Sequence, residues 1–185
     1  ELSYQSMAVN LLAGNGILEN GNRAFYNAGY PMFVLAPVYY LFGESLLAAR
    51  IANILLGVFS ILCCYFVAKE AGAGRIGRLL AAAVWALYLP TGVYGVYLAK
   101  ENLMAPLMLG VMWCALRFVT KPSAKTAAMC GMLFGLLAMI GNAALSLAGV
   151  IIVALILTPA AAKQRLTLFG EVVVVTLLVS SPWLL

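Results

Sequence analysis

The side chains that could do chemistry in this chain are carboxylates, lysines, arginines and tyrosines, because the sequence has no histidine. A Ser-His-Asp triad and a histidine-ligated zinc site are therefore excluded within it. Most of the remaining candidates fall in the first fifty residues and near position 100. They are Glu1, Tyr4, Arg23, Tyr30, Glu44, Arg50, Lys100 and Glu101.

Lys100 and Glu101 are adjacent and directly follow an aromatic segment, residues 94–97. They form either a snorkelling pair at a helix end or an anion site with a carboxylate beside it. Arg50 lies within an apolar run, where an ionised group costs at least ~2.5 kcal/mol unless it is paired or hydrated. Its partner is then Glu44 or an anionic ligand, unless Arg50 snorkels to the interface.

The composition is that of a membrane protein. Of the 185 residues, 65% are hydrophobic and 9% are charged, and the mean hydropathy is +1.04. A soluble domain could not bury this much apolar surface. The elements that position the candidate residues are therefore expected to be helices that cross roughly 30 Å of hydrocarbon with about 20 residues each.

The first 43 residues are predicted to form an outer-face loop. Residues 4–12 place apolar side chains at helical spacing and are followed by two glycines. This predicts a short amphipathic helix lying in the membrane interface. Residues 24–43 carry no charge, but Pro31 and Pro37 interrupt them and tyrosines, which favour the headgroup level, crowd them. A broken interfacial or re-entrant helix is predicted there.

Residues 44–185 divide into six stretches with few charges, each close to the length of one crossing. The predicted spans cover residues 45–68, 77–99, 101–119, 124–140, 143–162 and 166–185. Gly141 and Asn142 separate the fourth span from the fifth, where a turn is needed. The sequence thus predicts an all-α fold, a polytopic transmembrane helix bundle, which we expect to be incomplete at both ends.

Basic residues are concentrated in every second predicted loop and at the ends of the spans beside it. They are Lys69, Arg75, Arg78, Arg117, Lys121, Lys125, Lys163 and Arg165. The opposite loops hold only Arg23 and Lys100. Because Lys and Arg in short loops stay cytoplasmic, the outer face is predicted to carry residues 1–43 and the Lys100-Glu101 pair. The net charge of +5 then needs no nucleic-acid partner.

The sequence also contains two glycine motifs. Residues 72–77 match GxGxxG, but no strand precedes them, so the context of a dinucleotide site is absent. Gly131 and Gly135 form a GxxxG motif inside a predicted span, which indicates close helix packing.

Short motifs follow one another in a distinctive order after Glu1 and Tyr4. They are Ala8–Gly14 (AVNLLAG), Gly29–Pro37 (GYPMFVLAP), Leu41–Ser45 (LFGES), Leu47–Asn53 (LAARIAN), Tyr97–Asn102 (YLAKEN) and Ser181–Trp183 (SPW). Their order resembles bacterial membrane glycosyltransferases of the C-type fold (GT-C). These are the family 39 group, which includes protein O-mannosyltransferases and the lipid A aminoarabinose transferase. The resemblance covers nearly the whole chain.

The resemblance implies roles for individual residues. The family carries a catalytic aspartate in its first outer loop, commonly in an Asp-Glu pair before a tyrosine. Aligned on Tyr4, the glutamate of that pair is Glu1, and the main catalytic aspartate is expected just before it. Glu101 is similar to a second outer-loop acid that helps to position the acceptor or a divalent cation. Arg23 or Lys100 would suit the donor phosphate.

The implied reaction moves a sugar from a polyprenyl-phosphate donor to a lipid, glycan or protein acceptor outside a bacterial inner membrane. A carboxylate removes the acceptor proton and a cation stabilises the departing phosphate. Tyr4, Tyr30 and Arg50 complete the expected substrate-binding set. No cofactor is implied beyond the divalent cation at Glu101.

Two other functions fit the same residues. A transporter or flippase subunit could line its path with Arg50 and the broken segment 29–37. Such a protein is expected to have two related halves, and the sequence shows no internal repeat. A purely structural scaffold is the third interpretation, and the charge cluster on the outer face argues against it.

Overall fold

The computed structural model describes residues 2–19, 21–24, 27–141 and 145–184. In these ranges the chain is helical except for short loops and one two-residue hairpin, so the predicted all-α fold is confirmed. The elements are α1 (Leu2–Leu12), β1 (Leu18–Glu19), β2 (Asn22–Arg23), a π-helix (Pro31–Leu35), α2 (Ala36–Phe42), α3 (Leu46–Glu70), α4 (Arg75–Leu87), α5 (Leu89–Val96), α6 (Glu101–Thr120), α7 (Ala124–Ile140), α8 (Leu147–Leu157) and α9 (Ala162–Leu184).

A helix is present where one was predicted over residues 4–12, as α1, and its place in the membrane interface stays a prediction. It is followed by Gly14 and Gly16, both at φ +78°, a conformation that only glycine adopts without cost. The broken helix predicted in 24–43 is the π-helix running directly into α2, with Pro31 as the first residue of the π-helix and Pro37 as the second residue of α2. The π segment is where this short helix departs from the α-helical hydrogen-bond pattern.

Three described helices are long and apolar enough to cross a membrane: α3, α6 and the part of α9 at Ala162–Ser181. The other apolar helices, α7 and α8 among them, are shorter. Where one span is predicted over residues 77–99, the structure has α4 and α5, separated at Tyr88 in an extended conformation. Pro90 has no N–H to donate, so it fits the first turn of α5 but could not continue α4. Six crossings remain a prediction.

The GxxxG motif packs α7 against α9. A Cβ added to Gly131 would lie 2.6 Å from the Val172 carbonyl oxygen, and one added to Gly135 would lie 2.9 Å from the Val179 Cβ. Thr176 Oγ1 also donates a hydrogen bond of 3.2 Å to the Gly131 carbonyl. The predicted helix-packing role of this motif is confirmed.

Buried apolar side chains form two clusters. One lies among α6, α7, α8 and α9 and includes Phe118 and Leu137. The other joins α1, the π-helix and the start of α3, and includes Ala8, Leu35 and Ala49. This second cluster packs α1, the π-helix and α2 against the start of α3, and it includes Leu98 from the loop between α5 and α6.

Candidate active site

Two tyrosines from the first 43 residues meet at one end of the bundle. We call this the tyrosine end and define it by Tyr4, Tyr30, Asn53, Lys100 and Glu101. Tyr4 lies on α1, and Tyr30 immediately precedes the π-helix. Their rings pack edge to face, with centroids 5.5 Å apart and planes at 76°. Tyr30 is fully buried, whereas Tyr4 is half-buried.

A chain of buried amides connects these tyrosines to the start of α6. Tyr30 Oη donates to Asn53 Oδ1 at 2.8 Å, and Asn53 Nδ2 donates to the Tyr97 carbonyl at 2.9 Å. Asn102 Nδ2 lies 3.1 Å from the same carbonyl and 2.9 Å from that of Tyr94. The network therefore anchors the segment between α5 and α6, which carries Lys100 and leads directly into Glu101 at the start of α6.

Asn53 and Asn102 were missed as site residues in the sequence. Both are buried, Asn53 completely, although each lies in an apolar helix. The sequence feature that could have identified them is an asparagine inside a predicted span. A buried amide needs hydrogen-bond partners, so such a residue is expected to connect two parts of the chain.

Two carboxylates lie near the Tyr4 phenol. Burial raises the pKa of Tyr4, and the negative charges of Glu101 and Glu19 raise it further. Tyr4 thus stays protonated at neutral pH and can donate a hydrogen bond. Glu19 accepts a hydrogen bond from Ser3 Oγ, while Glu101 is the first residue of α6, where the helix dipole favours a negative charge.

Lys100 lies close to two other parts of the chain, near Asn27 and near Gly141. Its Nζ donates to Asn27 Oδ1 at 2.5 Å, so a neutral amide, and not an acid, accepts this bond. The same Nζ would lie 3.1 Å from a Cβ built on Gly141, just after α7. The ammonium therefore sits between the first loop, the start of α6 and the end of α7, with its positive charge available to an anion.

The remaining predicted residues are placed less centrally. Arg50 is half-buried on α3, three residues before Asn53, and its Nε is buried without a hydrogen-bond partner in the part of the chain described. Arg23 is exposed on β2, in the hairpin that also carries Glu19. Glu44 is exposed before α3, and Glu1 lies outside the described residues.

The tyrosine end contains two nearby acids, Glu19 and Glu101, as possible metal ligands. Within the described ranges, no group of three His, Cys, Asp or Glu side chains could hold a metal ion. The divalent cation at Glu101 stays a prediction.

A second polar cluster lies at the other end of α3 and was not predicted. Arg117 Nη1 pairs with Glu70 Oε2 at 3.3 Å, and Thr120 Oγ1 donates to Glu70 Oε1 at 2.7 Å. The Arg117 guanidinium also lies over the Trp113 ring, 4.9 Å from its centroid. Trp113, Arg117 and Thr120 are neighbours on α6, but Glu70 is 47 residues from Arg117, so only the fold brings Glu70 to them.

The comparisons with known proteins agree with the resemblance in the sequence. Residues 30–185 match the family model described as dolichyl-phosphate-mannose-protein mannosyltransferase. The matched region includes Tyr30, Asn53, Lys100 and Glu101. No curated protein and no solved structure matches the chain. This is a glycosyltransferase family, which favours the predicted enzyme over a transporter or a scaffold. With apolar helices long enough to cross a membrane and most of its length matched, the chain belongs to the dolichyl-phosphate-mannose-protein mannosyltransferase family of membrane glycosyltransferases.

Proposed function

We propose that this protein transfers a sugar from a polyprenyl-phosphate donor to an acceptor on the extracytoplasmic face of the membrane. The observation that carries the proposal is the arrangement at the tyrosine end. There the Glu101 carboxylate lies near the Tyr4 phenol, beside Lys100, whose ammonium is hydrogen-bonded to a neutral amide. An acid next to an available cation suits an acceptor hydroxyl next to a phosphate.

The reaction needs one proton acceptor and one stabilised leaving group. A carboxylate removes the proton of the acceptor hydroxyl, whose oxygen bonds to the anomeric carbon of the sugar. The bond from that carbon to the phosphate oxygen breaks, and polyprenyl phosphate leaves with the electron pair. We assign the base to the aspartate expected before Glu1, the positioning of the acceptor or a divalent cation to Glu101, and the leaving phosphate to Lys100 or Arg23.

Charge and helix length support the outward orientation. The 25 residues of α3 extend about 37 Å, so its two ends lie on opposite sides of the bundle. The tyrosine end is at its start, and Lys69 and the basic residues Arg75 and Arg78 are at or just after its end. By the positive-inside rule the tyrosine end faces outward, and we propose a bacterial inner membrane. The packed rings of Tyr4 and Tyr30, together with Arg50, would bind the lipid-linked donor at headgroup level.

The test uses the full-length protein in liposomes, with radiolabelled polyprenyl-phosphate mannose as donor. Membranes from a strain lacking the gene supply the acceptor. We expect label to enter acceptor material from the lipid-linked donor and not from a nucleotide-linked mannose. Equal transfer from the nucleotide sugar would overturn the assignment of the donor.

Lys100→Gln tests the phosphate role within that assay. It removes the charge but keeps a polar side chain, so the KM for the lipid-linked donor should rise by about tenfold or more, as expected for a charge-assisted contact. The matched control is Arg75→Gln, an exposed cation in the first turn of α4. An unchanged KM in Lys100→Gln would remove Lys100 from the donor site.

A further inference from the structure

The second polar cluster opens into a cleft of about 470 Å³ at the end of the bundle opposite the tyrosine end. It is lined by Phe66, Lys69, Glu70, Trp113, Arg117 and Lys121. We call it the basic cleft. Three of these side chains are cations and one is an acid, so the lining carries a net positive charge.

Two of the three cations in the basic cleft have no acidic partner among the residues that the structure describes. Glu70 forms an ion pair with Arg117 and accepts a hydrogen bond from Thr120. The side chains of Lys69 and Lys121 are exposed, and neither makes an ion pair in the described part of the chain. The cleft therefore offers the ammonium groups of Lys69 and Lys121 to an anion, in the same lining as the Arg117-Glu70 pair.

An apolar groove of about 370 Å³ continues from the basic cleft along the bundle surface. It shares Phe66 and Trp113 with the cleft, and otherwise has only uncharged walls from α3, α6 and α7, including Phe59 and Met129. Phe59, Leu62 and Phe66 are each about half exposed, so the groove is open on its outer side.

The basic cleft and the apolar groove together match the depth of one leaflet of a bilayer. Lys69 of the cleft and Phe59 of the groove are ten residues apart on α3, which corresponds to about 15 Å along the helix axis. Half of a hydrocarbon core of roughly 30 Å has the same depth. A molecule with a charged head and an apolar chain of this length would therefore fit the two together.

We propose that the basic cleft and the apolar groove together bind one anionic phospholipid of the leaflet opposite the tyrosine end. Its phosphate lies between Lys69 and Lys121, and one acyl chain lies along the groove past Phe66. Basic pockets between membrane helices are suited to anionic headgroups, and the uncharged groove suits an acyl chain. The bound lipid bridges α3, α6 and α7 and is separate from the sugar donor.

The test is native mass spectrometry of the detergent-purified full-length protein titrated with phosphatidylglycerol or phosphatidylcholine of the same acyl chains. We expect preferential retention of phosphatidylglycerol. The double variant Lys69→Gln/Lys121→Gln should lower its affinity by roughly thirtyfold, given the contribution of each basic residue near a charged lipid surface. The matched control, Lys125→Gln/Lys163→Gln, removes two exposed cations outside the cleft and should retain wild-type binding.

A groove variant separates a lipid site from a simple phosphate site. Cys63→Phe adds an aromatic ring to the groove wall and should weaken phosphatidylglycerol binding while the protein keeps its melting temperature. Unchanged binding in Cys63→Phe together with loss in the lysine double variant would show that only the headgroup is bound, and would overturn the lipid groove. Equal retention of both lipids, or equal loss in the two double variants, would overturn the whole proposal.

Discussion

Asn53 provides the sharpest test of how the tyrosine end is held together. Its amide accepts from Tyr30 Oη at 2.8 Å and donates to the Tyr97 carbonyl at 2.9 Å. Asn53→Ala removes both hydrogen bonds, each worth about 1 kcal/mol net. The Tyr97 carbonyl keeps the Asn102 amide at 3.1 Å, so no full desolvation penalty is added there. We therefore expect Asn53→Ala to lower the free energy of unfolding by about 2 kcal/mol.

A loss of this size is measurable as thermal unfolding of the detergent-purified full-length protein. For a unit of 150–250 residues it corresponds to a fall in Tm of about 4–8 °C. The matched control is Ser60→Ala on the same helix, because Ser60 is also buried but, within the described residues, donates only to the Leu56 carbonyl of α3 itself. Its cost should be about 0.5 kcal/mol or less. Equal Tm values for the two variants would refute the bridging role of Asn53.

Two further predictions concern packing and charge. Gly131→Ala should lower the free energy of unfolding by about 1–3 kcal/mol, because its new Cβ would clash with the Val172 carbonyl. The control is Gly149→Ala, which has open space around it and should leave the melting temperature unchanged or slightly raised. Glu70→Gln should lower the free energy of unfolding by at most about 1 kcal/mol, because the Glu70-Arg117 ion pair is partly exposed. The difference in stability between this variant and the wild type should shrink in high salt. A cost for Gly131→Ala no larger than that for Gly149→Ala, or a salt-independent cost for Glu70→Gln, would contradict these predictions.

Much of the helical framework could be predicted because local rules control it. The glycines after α1 were visible in the sequence, and so was the close approach at Gly131 and Gly135. The break at Tyr88 was not predicted, because hydropathy treats residues 77–99 as one apolar run and gives no weight to the N–H that Pro90 lacks.

The candidate site was less predictable than the fold. Lys100 and Glu101 could be predicted because they are charged residues at the end of an apolar run. Asn53 and Asn102, whose hydrogen bonds hold the neighbouring Tyr97 carbonyl, were not predicted. Periodicity along one helix does not reveal which helices are neighbours. For that reason the pair between Glu70 and Arg117, 47 residues apart, appears only in the fold.

The glycosyl-transfer assay applied to Glu101→Gln tests the central claim most directly. The substitution keeps the shape of the side chain and removes its charge, so the loss of its positioning role should appear as a fall in kcat of about a hundredfold. Glu44→Gln, an exposed acid before α3, is the control and should keep wild-type activity. If Glu101→Gln retains activity within twofold of wild type, the active site is not at the tyrosine end.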